Sequence, residues 1–318
     1  MPVCPICSCI LDTDSKQIRY PGINEENKRN ILFSDIVFCK NCELGIALPE
    51  VSRDRIEEFY KSENFWKQLR PKNTSLKSFP VPYALAKSRW RDIENLLIKL
   101  KNTKDVKILD IGAGHGCIGL VANQSKRINL NLYTCVEPDL TMQQYLKDNL
   151  SQLETTRRLE VRNAIDEASG QYDIVILSHV LEHLNDPLSM LNSAIALLAP
   201  GGILLLDVPN QDYLFKKDVF PHILFFSPST IRCMLNKVRL IEIVSIESRG
   251  SNMLQSPLNK KAPFRVKFVG QLVHIFHRLL SGRFLVIFFT WYFGINRVNS
   301  NGTWIRVLCR KKISYGSV

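Results

Sequence analysis

From residue 106 the chain reads Val-Lys-Ile-Leu-Asp-Ile-Gly-Ala-Gly-His-Gly, an apolar strand pattern that runs straight into glycines at alternate positions. Gly112, Gly114 and Gly116 let the backbone turn tightly and pass close to a ligand, and the helix that follows offers unpaired N–H donors at the same place. A strand that feeds a helix in this way belongs in a sheet with parallel neighbours. The sequence predicts those neighbours near 131–136, 159–162, 172–177, 203–208, 239–248 and 303–310, with helical patterns between most of them. The expected core is therefore an α/β sandwich around a mainly parallel sheet. Gly114, Gly116 and Gly119 also satisfy the dinucleotide fingerprint G-x-G-x-x-G. That motif wants its first glycine directly after the strand, and here this glycine is Gly112, preceded by Asp110 and opening G-x-G-x-G.

The N-terminus has a different texture. Five of the nine cysteines (Cys4, Cys7, Cys9, Cys39 and Cys42) fall in the first 42 residues. Cys4-Pro-Ile-Cys7 and Cys39-Lys-Asn-Cys42 are two knuckles that can supply four thiolates to one tetrahedral Zn2+, which replaces the core that so short a stretch cannot build. Residues 1–48 are read as a zinc ribbon with a structural metal, Cys9 being an alternative ligand and free cysteines the alternative to the module. Cys117, Cys135, Cys233 and Cys309 lie in apolar runs, as buried inert thiols do. Residues 49–104 are expected to form a connector and a covering helix, with Ile56, Phe59 and Tyr60 on one face, prolines at 71, 80 and 82, then Trp90, Ile93 and Leu97. The opening Met1-Pro2-Val3-Cys4 has no basic stretch leading into an apolar one, so a reducing cytoplasmic compartment is expected.

Charge is distributed unevenly. The net charge is +12, yet every Asp and Glu lies at or before Glu247, so the whole excess sits in the last 71 residues. One basic region facing an anionic partner is implied. Within it, Phe264, Phe268, Leu272, Ile275, Phe276 and Leu279 recur at helical spacing opposite Lys267, Gln271, His274 and Arg278, and residues 284–295 form an aromatic-rich run. Twelve residues are too few to span a bilayer. Two readings of 264–295 stand: a buried hairpin that closes the core, or an interfacial anchor on an anionic membrane surface.

Around the glycine loop the chain resembles the class I S-adenosylmethionine-dependent methyltransferases. Val136-Glu137-Pro138 resembles the end of that family's second strand, where an acidic residue takes both ribose hydroxyls; Tyr172-Asp173 through Ser178-His179-Val-Leu-Glu182-His183 to Pro187 resembles its fourth strand and active-site turn; and 198–210 resembles the turn and strand that follow. The resemblance implies a Rossmann-like seven-stranded sheet over 105–318, with an insertion at about 255–300. It also implies S-adenosyl-L-methionine bound by Asp110, Gly112, Ala113, Gly114, Gly116, Glu137, Pro138, Asn163 and Ser178. Asn163 stands where the family often has an acidic residue near the adenine. The cysteine knuckles, Glu43 to Pro49 and Phe220 to Pro228 are similar to the branch that carries a zinc ribbon and methylates sugars of nucleotide-sugars or cell-surface polysaccharides.

Transfer to a hydroxyl requires a group that takes its proton. His183 is the first choice, with His222 and His179 as alternatives and Glu182 as the acid that orients a histidine. The expected acceptor is a sugar or glycan, lipid-linked if 264–295 meets a membrane on its cytoplasmic face. Two other classes are weighed. An RNA methyltransferase would grip phosphates with the ribbon and basic tail, but the basic residues are interleaved with too much apolar surface for a phosphate track. A non-catalytic binding protein of the same fold would not need the intact glycine loop, Glu137 and the Glu182-His183 pair.

Overall fold

The structure is a computed structural model that describes residues 3–12, 15–22, 33–52, 54–56, 58, 80–154, 158–253, 256, 259, 269 and 280–313. Phe59, Tyr60 and the amphipathic pattern of 264–279, including His274 and His277, lie outside the described residues.

Seven strands form the central sheet: β4 (Val106–Ile111), β5 (Leu130–Val136), β6 (Arg158–Arg162), β7 (Tyr172–Ser178), β8 (Leu198–Pro209), β10 (Ile241–Asn252) and β11 (Gly302–Lys311). Their order is β10-β11-β8-β7-β4-β5-β6, and only β11 reverses direction, antiparallel to both β8 and β10. This is an α/β, mostly parallel, Rossmann-like seven-stranded sheet, as the resemblance implies. Ile108, Leu109, Ile174 to Leu177 and Ile203 to Leu206 are completely buried, as central strands covered on both faces must be. From β4 the chain builds outward through β5 and β6, then returns to place β7 on the other side of β4. That reversal opens a crevice at the carboxyl ends of β4 and β7, where sheets of this kind bind ligands.

Two boundaries differ from the sequence reading for physical reasons. β8 starts at Leu198 and not near 203, because Leu198 pairs with Tyr172 before a register shift that absorbs Pro200 and Gly201, the latter at φ 77°. Pro80 and Pro82, expected in the connector, sit in the first turn of helix α1 (Pro80–Lys99). There the N–H groups that proline lacks would have had no helical partner.

Helix α1 buries Tyr83, Trp90, Ile93 and Leu97 and packs against α2 (Cys117–Asn123). It is also clamped by charge. Arg89 Nε donates to Asp207 Oδ2 at 2.7 Å, and Arg306 bridges Asp207 at 3.0 Å and Asp92 at 2.8 Å. Asp207, on β8, is fully buried; burial alone would raise its pKa, but the two guanidiniums outweigh it and hold the carboxyl below its usual range. Residues 282–292, read from sequence as part of either a core hairpin or an anchor, form helix α3 (Gly282–Tyr292), which packs against α1. Leu285 and Val286 pack inward while Phe284, Ile287 and Trp291 stay exposed, a helical alternation that leaves both readings of 264–295 open. Among the described residues, no helix is long and apolar enough to cross a membrane.

At the N-terminus β1 (Gln17–Arg19), β2 (Asp35–Phe38) and β3 (Gly45–Leu48) form an antiparallel sheet. Its fourth strand, β9 (Leu224–Phe225), comes from the other end of the chain and pairs with β3. The expected boundary at residue 48 thus falls inside a shared sheet. Tyr20 Oη donates to the His222 carbonyl at 2.9 Å and Ala47 N–H to the Ile223 carbonyl at 2.9 Å. The cysteine-rich segment therefore braces the loop that carries His222.

Candidate active site

The glycine loop lines one wall of the crevice. Gly112, Gly114 and Gly116 all have positive φ, at 67°, 54° and 67°. A Cβ at Gly112 would strike Val180 at 2.6 Å, which locks the loop against the turn after β7. At Gly114 the nearest atom to such a Cβ is the Gly112 carbonyl at 4.0 Å, so the backbone faces open space. Ala113 is half-buried between them.

Glu137 directly follows β5 with 3% of its surface exposed, and its Oε1 accepts the Asp139 N–H at 3.2 Å. Burial pushes its carboxyl up to about 7, against the N–H donors of Asp139 and Gly114. Gln143 Nε2 ties this strand end to the next: it donates to the Glu137 carbonyl at 2.7 Å and to Asn163 Oδ1 at 3.4 Å. Asn163 and Pro138 are exposed at the same rim. Asp110, which the resemblance assigns to the cofactor, is not exposed at this rim. It is buried beneath the loop, accepts the Tyr133 hydroxyl at 2.5 Å, and is pushed up to about 6 by burial.

The opposite wall is the turn after β7. The Ser178 hydroxyl has no hydrogen-bond partner among the described residues. His179 follows at φ 57°, a left-handed conformation that a side chain other than glycine adopts only at a cost. Its N–H donates to the Asp207 carbonyl at 2.8 Å, and its Nδ1 lies 3.0 Å from Glu182 Oε1. Glu182, on the short 3-10 turn Leu181–His183, is completely buried. Burial works to raise its pKa, but the His179 hydrogen bond and three imidazoles hold the carboxyl below the usual range.

His183 Nε2 is 4.0 Å from Glu182 Oε1, and the His183 and His222 rings meet edge to face at 4.9 Å. Burial lowers His183 to about 4, more than Glu182 can offset, so this imidazole is neutral near pH 7. His222 Nδ1 lies 3.0 Å from Asp212 Oδ2, and Lys216 Nζ donates to the same oxygen at 2.8 Å. All four residues expected to act in catalysis are thus brought together from two separate segments. Asp212 was not foreseen. Ten residues separate it from His222 without helical or strand periodicity, and Lys216 four residues on is its only local signal.

The expected metal ligands also converge. One sulfur from each of Cys4, Cys7, Cys39 and Cys42 lies within 4.8 Å of the others, with Cys4–Cys42 at 3.5 Å and Cys7–Cys39 at 3.4 Å. These separations exceed a disulfide bond of about 2.05 Å and approach the edge of about 3.8 Å that four sulfurs around zinc would define. Cys9 stands apart, its thiol donating to the Ile10 carbonyl.

The family model for a methyltransferase domain matches residues 82–253, more than half of the chain, and the chain belongs to that family. It is an S-adenosylmethionine-dependent methyltransferase. Two relatives are both ubiquinone biosynthesis O-methyltransferases. The one from Haemophilus ducreyi is 31% identical over 33% of this chain and 46% of its own length. That from Aliivibrio fischeri strain MJ11 is 27% identical over 49% of this chain and 79% of its own length. A solved structure assigned as a sarcosine dimethylglycine methyltransferase from Galdieria sulphuraria shares the fold, with a TM-score of 0.51 and 14% identity over 81% of this chain and 99% of that one. The crevice suits the cofactor on its own evidence: an open glycine cradle, a buried carboxylate at the next strand end and an unpartnered serine hydroxyl opposite.

If Glu137 takes the ribose hydroxyls, as the resemblance implies, their O–H donors select its ionised form. With its free-state pKa near 7, cofactor affinity is expected to fall about tenfold from pH 8 to pH 6. Calorimetric titration at the two pH values measures this, and Glu137→Gln should bind weakly at both. A flat profile in the unaltered protein would remove Glu137 from the cofactor site.

Proposed function

We propose that this enzyme methylates a hydroxyl group of a sugar-bearing acceptor. The observation that carries the O-directed reading is the His179–Glu182 pair at the mouth of the crevice. When bound, S-adenosylmethionine supplies a methyl on a positively charged sulfur, so that the O–C bond forms as the S–C bond breaks and S-adenosylhomocysteine leaves. The protein's share is alignment and proton removal.

In this reading the glycine loop and Glu137 fix the nucleoside, and Ser178 meets the cofactor from the β7 side. His179 takes the hydroxyl proton. Its side chain is 41% exposed and its Nδ1 faces Glu182, which leaves Nε2 toward the acceptor and stabilises the imidazolium once formed. This moves the role from His183, the first choice from sequence, because a half-buried imidazole lowered to about 4 is a poor proton acceptor near neutral pH. The relatives named as O-methyltransferases support hydroxyl transfer. The sugar reading rests on the resemblance of the cysteine knuckles and the Phe220 to Pro228 loop to the sugar-directed branch. Exposed Phe284, Ile287 and Trp291, with Arg91 and Arg297 along the α1–α3 groove, support a lipid-linked acceptor at an anionic cytoplasmic membrane face.

The test incubates the purified protein with methyl-labelled S-adenosylmethionine and an extract of its source. Label that survives nuclease and partitions into nucleotide-sugar or lipid-linked glycan fractions is expected. Loss of label on RNase treatment would overturn the reading in favour of RNA.

We further propose that Cys4, Cys7, Cys39 and Cys42 hold a structural zinc, coordinatively closed and so without a catalytic part. Elemental analysis should find zinc that survives dialysis, and Cys39→Ser should lose it and lower the unfolding temperature by several degrees. Protein that is fully stable and free of zinc would contradict this.

A further inference from the structure

Between α1 and α3 runs a groove of about 490 Å3. Ala84, Val286 and Gly294 line it as buried residues, while Lys87, Arg91 and Arg297 line it and are exposed. We propose that this groove and the outer face of α3 form a bilayer-docking surface that takes the phosphate of an anionic phospholipid. The docking surface rests on the membrane-facing part of the function proposed above and not on its hydroxyl chemistry.

Helix α3 is apolar on two sides. Leu285 and Val286 are buried where the helix packs against α1. Away from them Phe284, Ile287 and Trp291, at i, i+3 and i+7, form one stripe with 47%, 69% and 61% of their surface exposed. Phe288 joins the stripe end to end, its ring centroid 6.4 Å from that of Phe284 and 6.1 Å from that of Trp291. A continuous exposed apolar stripe marks a contact surface, and tryptophan at such a place suits the boundary between acyl chains and headgroups. At 11 residues the helix is too short to cross a bilayer and long enough to lie along one.

Charge beside the stripe has one sign. Among the described residues no Asp or Glu lines the groove, and the sequence has none after Glu247. Asp92, 3.9 Å from Arg91 Nε, is already claimed by Arg306 at 2.8 Å and Arg249 at 3.2 Å. Arg91 Nη2 donates to Asn296 Oδ1 at 3.1 Å, which holds the guanidinium against the segment that follows α3 and leaves further N–H donors for phosphate oxygens. A second copy of this chain would set the same cations against these, and a soluble phosphate would leave the aromatic stripe in water. An anionic bilayer answers both, with phosphate at the cations and acyl chains at the rings.

The probe is vesicles of phosphatidylcholine with brominated acyl chains, alone or mixed with phosphatidylglycerol. The full chain is sedimented with them and its tryptophan fluorescence is followed. Binding is expected to the mixed vesicles well above that to phosphatidylcholine alone, weakened about fivefold in Arg91→Gln and again in Arg297→Gln. Bromine should quench a component of the fluorescence that disappears in Trp291→Phe, because Trp90 and Trp304 are buried. All three positions are exposed, and unchanged S-adenosylmethionine affinity checks that the variants fold. Equal binding to the two kinds of vesicle, binding unaltered in both arginine variants, or quenching unaltered in Trp291→Phe would overturn the site, even where the chain reaches the bilayer by another segment. Saturation by inorganic phosphate without vesicle binding would assign the cations to a soluble ligand and overturn it too. Vesicle binding with methyl label only on a soluble nucleotide-sugar would sink the lipid-linked acceptor and spare the docking surface; label on a lipid-linked glycan without vesicle binding would do the reverse.

Discussion

The arrangement of the crevice depends on one buried charge. Glu182 has no exposed surface and burial works against its charge, yet the hydrogen bond from His179 holds its carboxyl below the usual range. Stranding an anion in a protein interior costs several kcal/mol unless partners answer it. The 3-10 turn that carries Glu182 therefore cannot be placed independently of the imidazoles. The Glu182 carbonyl accepts the Ile223 N–H at 2.9 Å, so the same residue also fastens the backbone of the His222 loop.

That demand propagates outward along two routes. Asp207 serves one of them: its carbonyl accepts the N–H of His179, while its carboxylate joins α1 to β11 through Arg89 and Arg306. The strained φ of His179 is thus anchored on the strand that the covering helix is clamped to. The cysteine-rich sheet serves the other. Pairing of β3 with β9, together with the Tyr20 hydrogen bond, sets the loop from which His222 approaches. Core packing alone would leave both segments free to slide. Specific polar contacts give them one position.

Legibility in the sequence followed the range of the interactions. The seven strands were readable because burial on both faces demands unbroken apolar runs, and the glycine loop because its positive φ values admit few other residues. Glu137 was singled out by its frame around that loop, and the 178–183 turn by its resemblance to the methyltransferase family. The placement of Asp110 was not, since nothing local reveals that Tyr133, 23 residues on, claims its carboxylate. Nor was the choice among histidines. His179 and His183 are both near Glu182 in sequence, and only the fold decides that one ring is open to the crevice while the other is enclosed against His222. The joining of β9 to the N-terminal sheet, across some 180 residues, left no periodic trace.

The central claim is that a Glu182-held imidazole at position 179 removes a hydroxyl proton during methyl transfer. It is tested most directly by single-turnover methyl transfer in His179→Asn, alongside cofactor affinity of the same variant. Asparagine tolerates the left-handed backbone that His179 adopts, so the turn keeps its shape. The account requires the transfer rate to fall by about 10²- to 10⁴-fold while S-adenosylmethionine binds as before. A rate within a few fold of the unaltered protein, at unchanged cofactor affinity, would contradict it.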